Sequence, residues 1–441
     1  MSKRREFIKV MAAGAAAIPL SNSTLFAIGN RTIANTINVA VIGVANRGKG
    51  LIEGLGSCES VRVSHLCDVD SNVLTDALKF ADEKLGYLPD SEGDFRRLLD
   101  NKDVDAVVIA TPDHWHAPMS IMALQAGKHV YVEKPCSHSM EETQRLQEAQ
   151  KKYNKLLQMG NQQRSSRTSR LAIKEIKEGM IGTPYLAKAF YYNSRNTIGR
   201  GNVIDVPNNL NWDLWQGPAP RESYRDNIHP YHWHWFKTWG TGEIHNNGTH
   251  EIDICRWVLG VDYPLSIQSM GGRNHFKEDD WQYPDTQLVN YEYDQGKMIT
   301  WEGISCNGYT AKKGRGVEVR GTEGTVFISR RNFIQYDREG KEIRREKETD
   351  QYAATSTSDT LGFDGMTVSH LRNFVNAIRG DGSLNSPIEE AGITTNLCHL
   401  GNIAQELNES LELEPKTGIP INKLAKKKMN RTYEKGWEPN V

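Results

Sequence analysis

The chain reads as an α/β protein in two parts: a doubly wound parallel sheet, then an α+β domain with an open, mainly antiparallel sheet. Three observations carry this. From Ile37 onward short apolar runs alternate with amphipathic helical stretches; a glycine turn, Gly43-Val44-Ala45-Asn46-Arg47-Gly48, joins the first run to the first helix; and beyond Gly182-Thr183-Pro184 β-prone segments follow one another without helices between them. The chain of 441 residues exceeds the usual size of one domain. The boundaries expected are 1–36 for a leader and linker, 37–160 for the first domain, 161–420 for the second and 421–441 for a tail.

Taken in order, Ile37 to Val44 is the first strand, Gly48 to Leu55 the first helix, and Val61 to Cys67, closed by Asp68, the second strand. A helix from Ser71 to Leu85, the run Val104 to Ala110, a helix from Ala117 to Ala126, and the strand His129 to Val132 follow. The helix Met140 to Tyr153 and the run Leu156 to Met159 finish the sheet. In the second part Tyr185 to Asn193, Gln287 to Tyr293, Met298 to Glu302 and Gly316 to Arg320 are strands. Asn193 to Tyr231, rich in Asn, Pro and Gly, is a long loop of the kind that tends to serve function. Helical periodicity returns from Ser369 to Leu411, broken at Gly380 to Pro387, and these helices are expected to close the domain interface.

With 54 basic and 55 acidic residues the net charge is −1, so nothing electrostatic invites nucleic acid or an anionic membrane surface. The start, Ser2-Lys3-Arg4-Arg5-Glu6-Phe7-Ile8-Lys9, leads into a weakly apolar run from Val10 to Leu20 that is too short to span a bilayer. This has the form of a twin-arginine export signal, which implies a periplasmic protein carried out already folded. Cys58, Cys67, Cys136, Cys255, Cys306 and Cys398 form no CxxC pair, and free, mostly buried thiols are expected.

The turn after the first strand has the glycines that a dinucleotide pyrophosphate requires, at Gly43 and Gly48, with Ala45 in the middle position and Asn46 and Arg47 beside it. Asp68 ends the second strand where a carboxylate accepts hydrogen bonds from an adenosine ribose. Its charge repels a 2′-phosphate, which favours NAD over NADP; the competing reading is a cap on the Ser71 helix. Thr111-Pro112-Asp113-His114-Trp115-His116 follows a buried strand, at the carboxyl edge where ligands of open α/β sheets bind. Thr111, Pro112, His114, Trp115 and His116 are therefore cofactor-site candidates, with Trp115 either flanking the cofactor or simply packing, and His116 either a ligand or a helix start. Val132-Glu133-Lys134-Pro135 places a lysine at the end of a later strand of the same sheet.

In this order the glycine turn, Ala110-Thr111-Pro112, Glu133-Lys134-Pro135 and Gly248-Thr249-His250-Glu251-Ile252-Asp253 resemble the Gfo/Idh/MocA oxidoreductases, a family that includes glucose-fructose oxidoreductase and inositol dehydrogenases. The resemblance implies a Rossmann nucleotide domain, a C-terminal substrate and oligomerisation domain, and dimers or tetramers. It makes Lys134 the lysine that touches the nicotinamide ribose and the reacting hydroxyl, and His250 the proton acceptor. Asn246 stands where many members carry aspartate. Glu133, Asn161 and Gln163 join the cofactor set.

Asn246, His250 and Asp253 are spaced i, i+4, i+7 and share one helical face, so Asp253 can orient or charge-stabilise His250; the competing reading is the solvated polar face of an amphipathic helix. Around them Arg164, Trp212, Trp235, His232 and His234 offer flat aromatic and polar groups suited to a pyranose. His232 and His234 would lie on one side of an extended segment, where hydrogen bonding to a sugar is favoured over metal ligation, and no metal site is expected. The expected function is oxidation of a secondary hydroxyl of a sugar or glycoside with tightly held NAD. The alternative within the same superfamily is an NAD-assisted glycosidase, which oxidises, eliminates, hydrates and re-reduces.

Overall fold

In the computed structural model the described residues are 36–309, 314–348 and 365–441, so the expected export signal lies outside them. The nucleotide domain holds β1 (Ile37–Ile42), α1 (Asn46–Gly56), β2 (Val61–Cys67), α2 (Ser71–Leu85), β3 (Asp90–Glu92), α3 (Phe95–Asp100), β4 (Ala106–Ile109), α4 (Asp113–Gln125), β5 (His129–Val132), α5 (Met140–Tyr153) and β6 (Leu157–Met159). Its six strands run parallel in the order β3-β2-β1-β4-β5-β6. Every residue of β4 is buried, as expected of a strand covered by helices on both faces. The order reverses between β1 and β4, and this switch point opens a crevice at the carboxyl ends of the strands. The short β3 and α3 were not apparent in the periodicity. Helix α4 begins at Asp113, four residues before the expected Ala117, so Trp115 and His116 lie in its first turn.

The second domain comprises α6 (Arg167–Lys177), β7 (Pro184–Tyr192), α7 (Trp212–Gln216), α8 (Thr249–Leu259), β8 (Ser266–Gly272), β9 (Thr286–Glu292), β10 (Met298–Ile304), β11 (Arg315–Gly321), β12 (Thr325–Ile328), β13 (Asn332–Tyr336), β14 (Glu342–Lys347), α9 (Gly365–Ile378), α10 (Ile388–Leu407), β15 (Leu411–Glu412) and α11 (Lys423–Lys427). Its nine-stranded sheet is ordered β14-β13-β12-β11-β7-β10-β9-β8-β15. All pairings are antiparallel except β7 with β10, where Leu186 pairs with Met298 and Tyr192 with Ile304. Burial alternates along β9 and β10, so one face packs on helices while the other stays open.

Helices α9 and α10 tie the halves together. Leu371, Phe374 and Val375 of α9 join the core beneath α1. Ile388 and Ala391 of α10 belong to the nucleotide-domain core, while Leu397, Leu400 and Ala404 of the same helix belong to the second. The tail is not a loose appendage: Trp437 meets Trp115 edge-on at 5.2 Å, and Arg145 of α5 binds Glu438 at 2.8 Å. All six cysteines are free, and five of them are buried. Among the described residues no helix is long and apolar enough to cross a membrane.

Candidate active site

A cavity of about 350 Å³ follows the carboxyl edge of the parallel sheet and ends against the second domain. At its nucleotide end, Gly43 has φ +81°, and a Cβ there would lie 2.7 Å from the carbonyl of Ala110. Gly48 does not line the cavity; a Cβ on it would lie 2.2 Å from the Gly43 oxygen, so its role is to let α1 pack against the turn. No side chain caps α1 at Ala45, and Ala45, Asn46 and Arg47 line the cavity. The first amides of this helix are therefore a ready cradle for a phosphate.

Asp68 also lines the cavity, with Oδ2 accepting from the Val44 amide at 3.0 Å and Oδ1 from the Asp70 amide at 3.0 Å. Burial pushes its carboxyl up to about 6, against the pull of those amides. The capping role falls to Asp70 instead, which accepts from Asn72 and Val73 at the start of α2. Asp68 is thus left beside the cleft with a carboxylate suited to ribose hydroxyls. Cradle, helix end and acid together fit NAD.

At the other end Lys134, two residues beyond β5, donates from Nζ to Asn246 Oδ1 at 3.2 Å. Asn246 belongs to a π-helical turn, Ile244–Gly248, that runs directly into α8. His250 lies in the first turn of α8 and lines the same cavity as Lys134 and Asn246. It is only 5% exposed, and burial, reinforced by the positive charges of Arg330, Lys134, Arg315 and Arg47, drives its imidazole well below the ordinary range. A neutral imidazole at neutral pH is a proton acceptor.

Supporting groups knit the two ends. Glu133 accepts from Arg47 Nε at 2.8 Å and Gln162 Nε2 at 3.0 Å, linking the glycine turn to the lysine loop. His116 places its ring nitrogens 2.6 Å from the Pro135 carbonyl and 2.8 Å from that of Thr111. Asp113 accepts from Thr241 Oγ1 at 2.5 Å, and burial raises its carboxyl despite the nearby His116 and Lys134.

The long segment from 193 to 231 closes over the nucleotide end. Asn209 Nδ2 donates to Asp70 Oδ1 at 2.8 Å and His229 Nε2 lies 3.1 Å from Asp70 Oδ2, while Trp215, His229, Pro230 and Tyr231 line the cavity. The segment is thus a strap fastened to the nucleotide domain. Thr111, Pro112, Trp115 and His234 line the cavity too, although Trp115 is a wall residue whose indole donates to the Trp215 carbonyl at 3.0 Å.

Several expected site residues lie elsewhere, each for a packing reason. His114 is fully buried behind the wall, bonded to the Trp215 carbonyl at 2.9 Å and held near 3 by burial. Trp212 stacks on Trp215, and Trp235 on Trp281, in one aromatic core. His232 and His234 belong to a 3₁₀ turn, His232–Trp235, rather than an extended run; His232 bonds the Asn227 carbonyl, and only His234 reaches the cavity. Within another such turn, Gln162–Ser165, Gln162 faces the cleft while Gln163 donates to Ser169; Asn161, just before it, is fully buried. Asp253 does not serve His250: it holds Arg164 in a buried ion pair with contacts of 2.6 and 2.8 Å. Asp113, His229 and Arg330 were not singled out from sequence as site residues. Asp113 falls inside the Thr111 to His116 run, and loop length was the only pointer to His229.

Comparison with known proteins agrees with this geometry. Residues 37–161 match the description "Oxidoreductase family, NAD-binding Rossmann fold", and residues 173–401 match "Oxidoreductase family, C-terminal alpha/beta domain" of the same Gfo/Idh/MocA grouping. A Glycosyl hydrolase family 109 protein 2 from Shewanella sp. strain ANA-3 is 28% identical over 308 residues, covering 68% of this chain and 61% of the relative. A Glycosyl hydrolase family 109 protein of Shewanella pealeana is 29% identical over 161 residues, 36% of this chain and 35% of that one. The chain thus spans between about a third and three fifths of these relatives' length. Among solved structures, levoglucosan dehydrogenase with NADH and levoglucosan superposes with a TM-score of 0.66 at 19% identity, covering 86% of this chain and 99% of that one. Aldose-aldose oxidoreductase from Caulobacter crescentus, complexed with glycerol, gives 0.64 at 17%, covering 86% and 100%.

Proposed function

The chain belongs to the Gfo/Idh/MocA oxidoreductase family, and from that premise we propose that it oxidises a secondary hydroxyl of a sugar or glycoside with a tightly held NAD. The observation that carries the reading is the meeting of Lys134 from one domain with Asn246 and His250 from the other in a single cavity. NAD, when bound, supplies the hydride acceptor. The protein's own contribution is acid–base and electrostatic. The hydroxyl proton passes to the neutral imidazole of His250. Lys134, steered by Asn246 Oδ1, offsets the charge that develops on the substrate oxygen. Arg47, Glu133 and Gln162 keep the lysine loop in register with the glycine turn. The strap excludes water from the nucleotide end, where electrostatic effects then act with less screening. A carbohydrate, with an apolar ring face and a rim of hydroxyls, suits a cavity of aromatic wall and scattered polar groups, and the levoglucosan and aldose enzymes of like fold are consistent with it. The twin-arginine start supports a periplasmic location, and we take the active form to be a homo-oligomer.

Resemblance to the family 109 glycosyl hydrolases favours a second reading on the same site. There, transient oxidation at C3 acidifies the C2 proton, the aglycone leaves, water adds and re-reduction closes the cycle. Aglycone release with deuterium uptake at C2 in heavy water would select it; accumulation of a keto sugar without cleavage would select net oxidation. Common to both, Lys134→Ala should retain nucleotide yet lose about two orders of magnitude or more in turnover. Unchanged turnover would overturn the assignment.

A further inference from the structure

A second cavity, of about 410 Å³, shares no lining residue with the first. Thr241 lines this cavity while its hydroxyl donates to Asp113 in the catalytic cleft. Four cations line it, Lys237, Arg273, Lys428 and Arg431, against one carboxylate, Glu406. Lys428 Nζ lies 2.6 Å and Lys237 Nζ 3.6 Å from the same Glu406 oxygen. Burial alone would raise that carboxyl, and the two lysines hold it below its usual range.

Both guanidinium groups are anchored at the cavity wall, Arg273 over the Trp281 ring at 4.9 Å and Arg431 over the Tyr433 ring at 4.8 Å. Arg273 Nη2 binds Asp279 at 2.6 Å, and Arg431 Nη1 lies 3.3 Å from Glu142 and 2.9 Å from the His114 carbonyl. Arg273 Nη1 and Arg431 Nη2 have no hydrogen-bond partner, and the Arg431 side chain is 7% exposed. Ammonium and guanidinium groups gathered on one cavity wall favour an oxyanion. The remaining lining is rich in amides and hydroxyls, among them Gln282, Asn402 and Asn430, which suit a hydroxylated body.

We propose that this cavity is a second ligand site, distinct from the catalytic cleft, for a small hydroxylated molecule bearing an oxyanion group. The carboxylate of a sugar acid and a phosphate ester share that chemistry. Inorganic phosphate and D-gluconate, titrated calorimetrically into the NAD-saturated full chain at constant ionic strength, distinguish the two sources. NAD saturation occupies the phosphate cradle of α1, so that it does not compete.

At least one probe should bind saturably, and K237Q/K428Q should weaken that binding about tenfold or more, the scale of losing charge-assisted contacts. Both lysines are half-exposed, so the fold is kept. Glu406→Gln removes the competing carboxylate and should tighten binding, a direction that mere damage to the cavity would not give. Phosphate binding alone points to a phosphate ester, and gluconate binding to a sugar acid. No saturable binding of either probe, or equal affinity in K237Q/K428Q, overturns the proposal.

Discussion

Replacing Asp253 by Asn separates two roles that spacing alone left merged. On a helix Asp253 shares a face with His250, and an orienting carboxylate would make the substitution a catalytic defect. In the fold the carboxylate instead takes Arg164 Nε at 2.6 Å, Arg164 Nη2 at 2.8 Å and Thr394 Oγ1 at 2.9 Å, with the paired side chains 7% and 2% exposed. Burial would raise this carboxyl, but the Arg164 charge outweighs it and holds the group below the usual carboxylate range. Asp253→Asn keeps the shape and removes the charge, leaving a buried guanidinium without a counter-charge, supported by one amide oxygen and the Trp257 ring at 4.7 Å. Breaking one partner out of such a pair costs about 3–5 kcal/mol. Denaturant unfolding followed by tryptophan fluorescence should show that loss, while turnover per folded molecule stays within a few-fold of the parent. The sign with pH follows: a depressed carboxyl stabilises the fold above its unfolded value, about 3.9, and that stabilisation fades as pH falls through the folded value. The variant and parent should therefore converge in acid. A drop of two orders in turnover at unchanged stability would refute the structural role and restore Asp253 as a partner of His250.

Two further outcomes follow from the nucleotide end. Because burial pushes Asp68 up to about 6, it protonates as pH falls through that range and loses acceptor capacity, so NAD affinity measured calorimetrically should weaken below about pH 6 in the parent. In Asp68→Asn that pH dependence should flatten at a weaker affinity, and an unaltered profile would remove Asp68 from the ribose site. His229→Ala unfastens the strap from Asp70 and should speed nucleotide release about tenfold, the equivalent of one charge-assisted hydrogen bond. Displacement of bound NADH fluorescence by excess NAD measures this, and an unchanged rate would mean that the strap does not gate exchange.

The parallel sheet and most of its ligand edge were legible in the sequence because a buried strand followed by a turn announces its own carboxyl end. Gly43, Asp68, Thr111 and Lys134 all occupy such ends, and local pattern suffices to place them. What failed was direction within irregular turns. A 3₁₀ turn rotates about a third of a circle per residue, so position in the sequence could not tell that Gln162 faces inward and Arg164 away. Trp212 and Trp235 lie off the cavity for a different reason: they stack in the core on Trp215 and Trp281, and no local pattern separates a tryptophan stacked on tryptophan from one awaiting a sugar. Arg164 and Asp253 are 89 residues apart, beyond the reach of any spacing argument.

Asn246 stands where the family resemblance implies an aspartate in many dehydrogenases, and the electrostatics of the cleft give the departure a direction. An aspartate at this position would set a negative charge against Lys134 and raise the proton affinity of the nearby His250. Asn246 offers Lys134 Nζ a neutral carbonyl oxygen at 3.2 Å instead, so the ammonium is positioned without being cancelled. Asp113, whose carboxyl feels the Lys134 charge, is itself pushed by burial toward its neutral form and is occupied by Thr241. Burial, reinforced by the charges of Arg330, Lys134, Arg315 and Arg47, keeps the His250 imidazole unprotonated, and those same charges favour a developing alkoxide. On the proposed mechanism Asn246 leaves the deprotonation half of the chemistry intact and removes only a relay, since Lys134 and His250 still line one cavity.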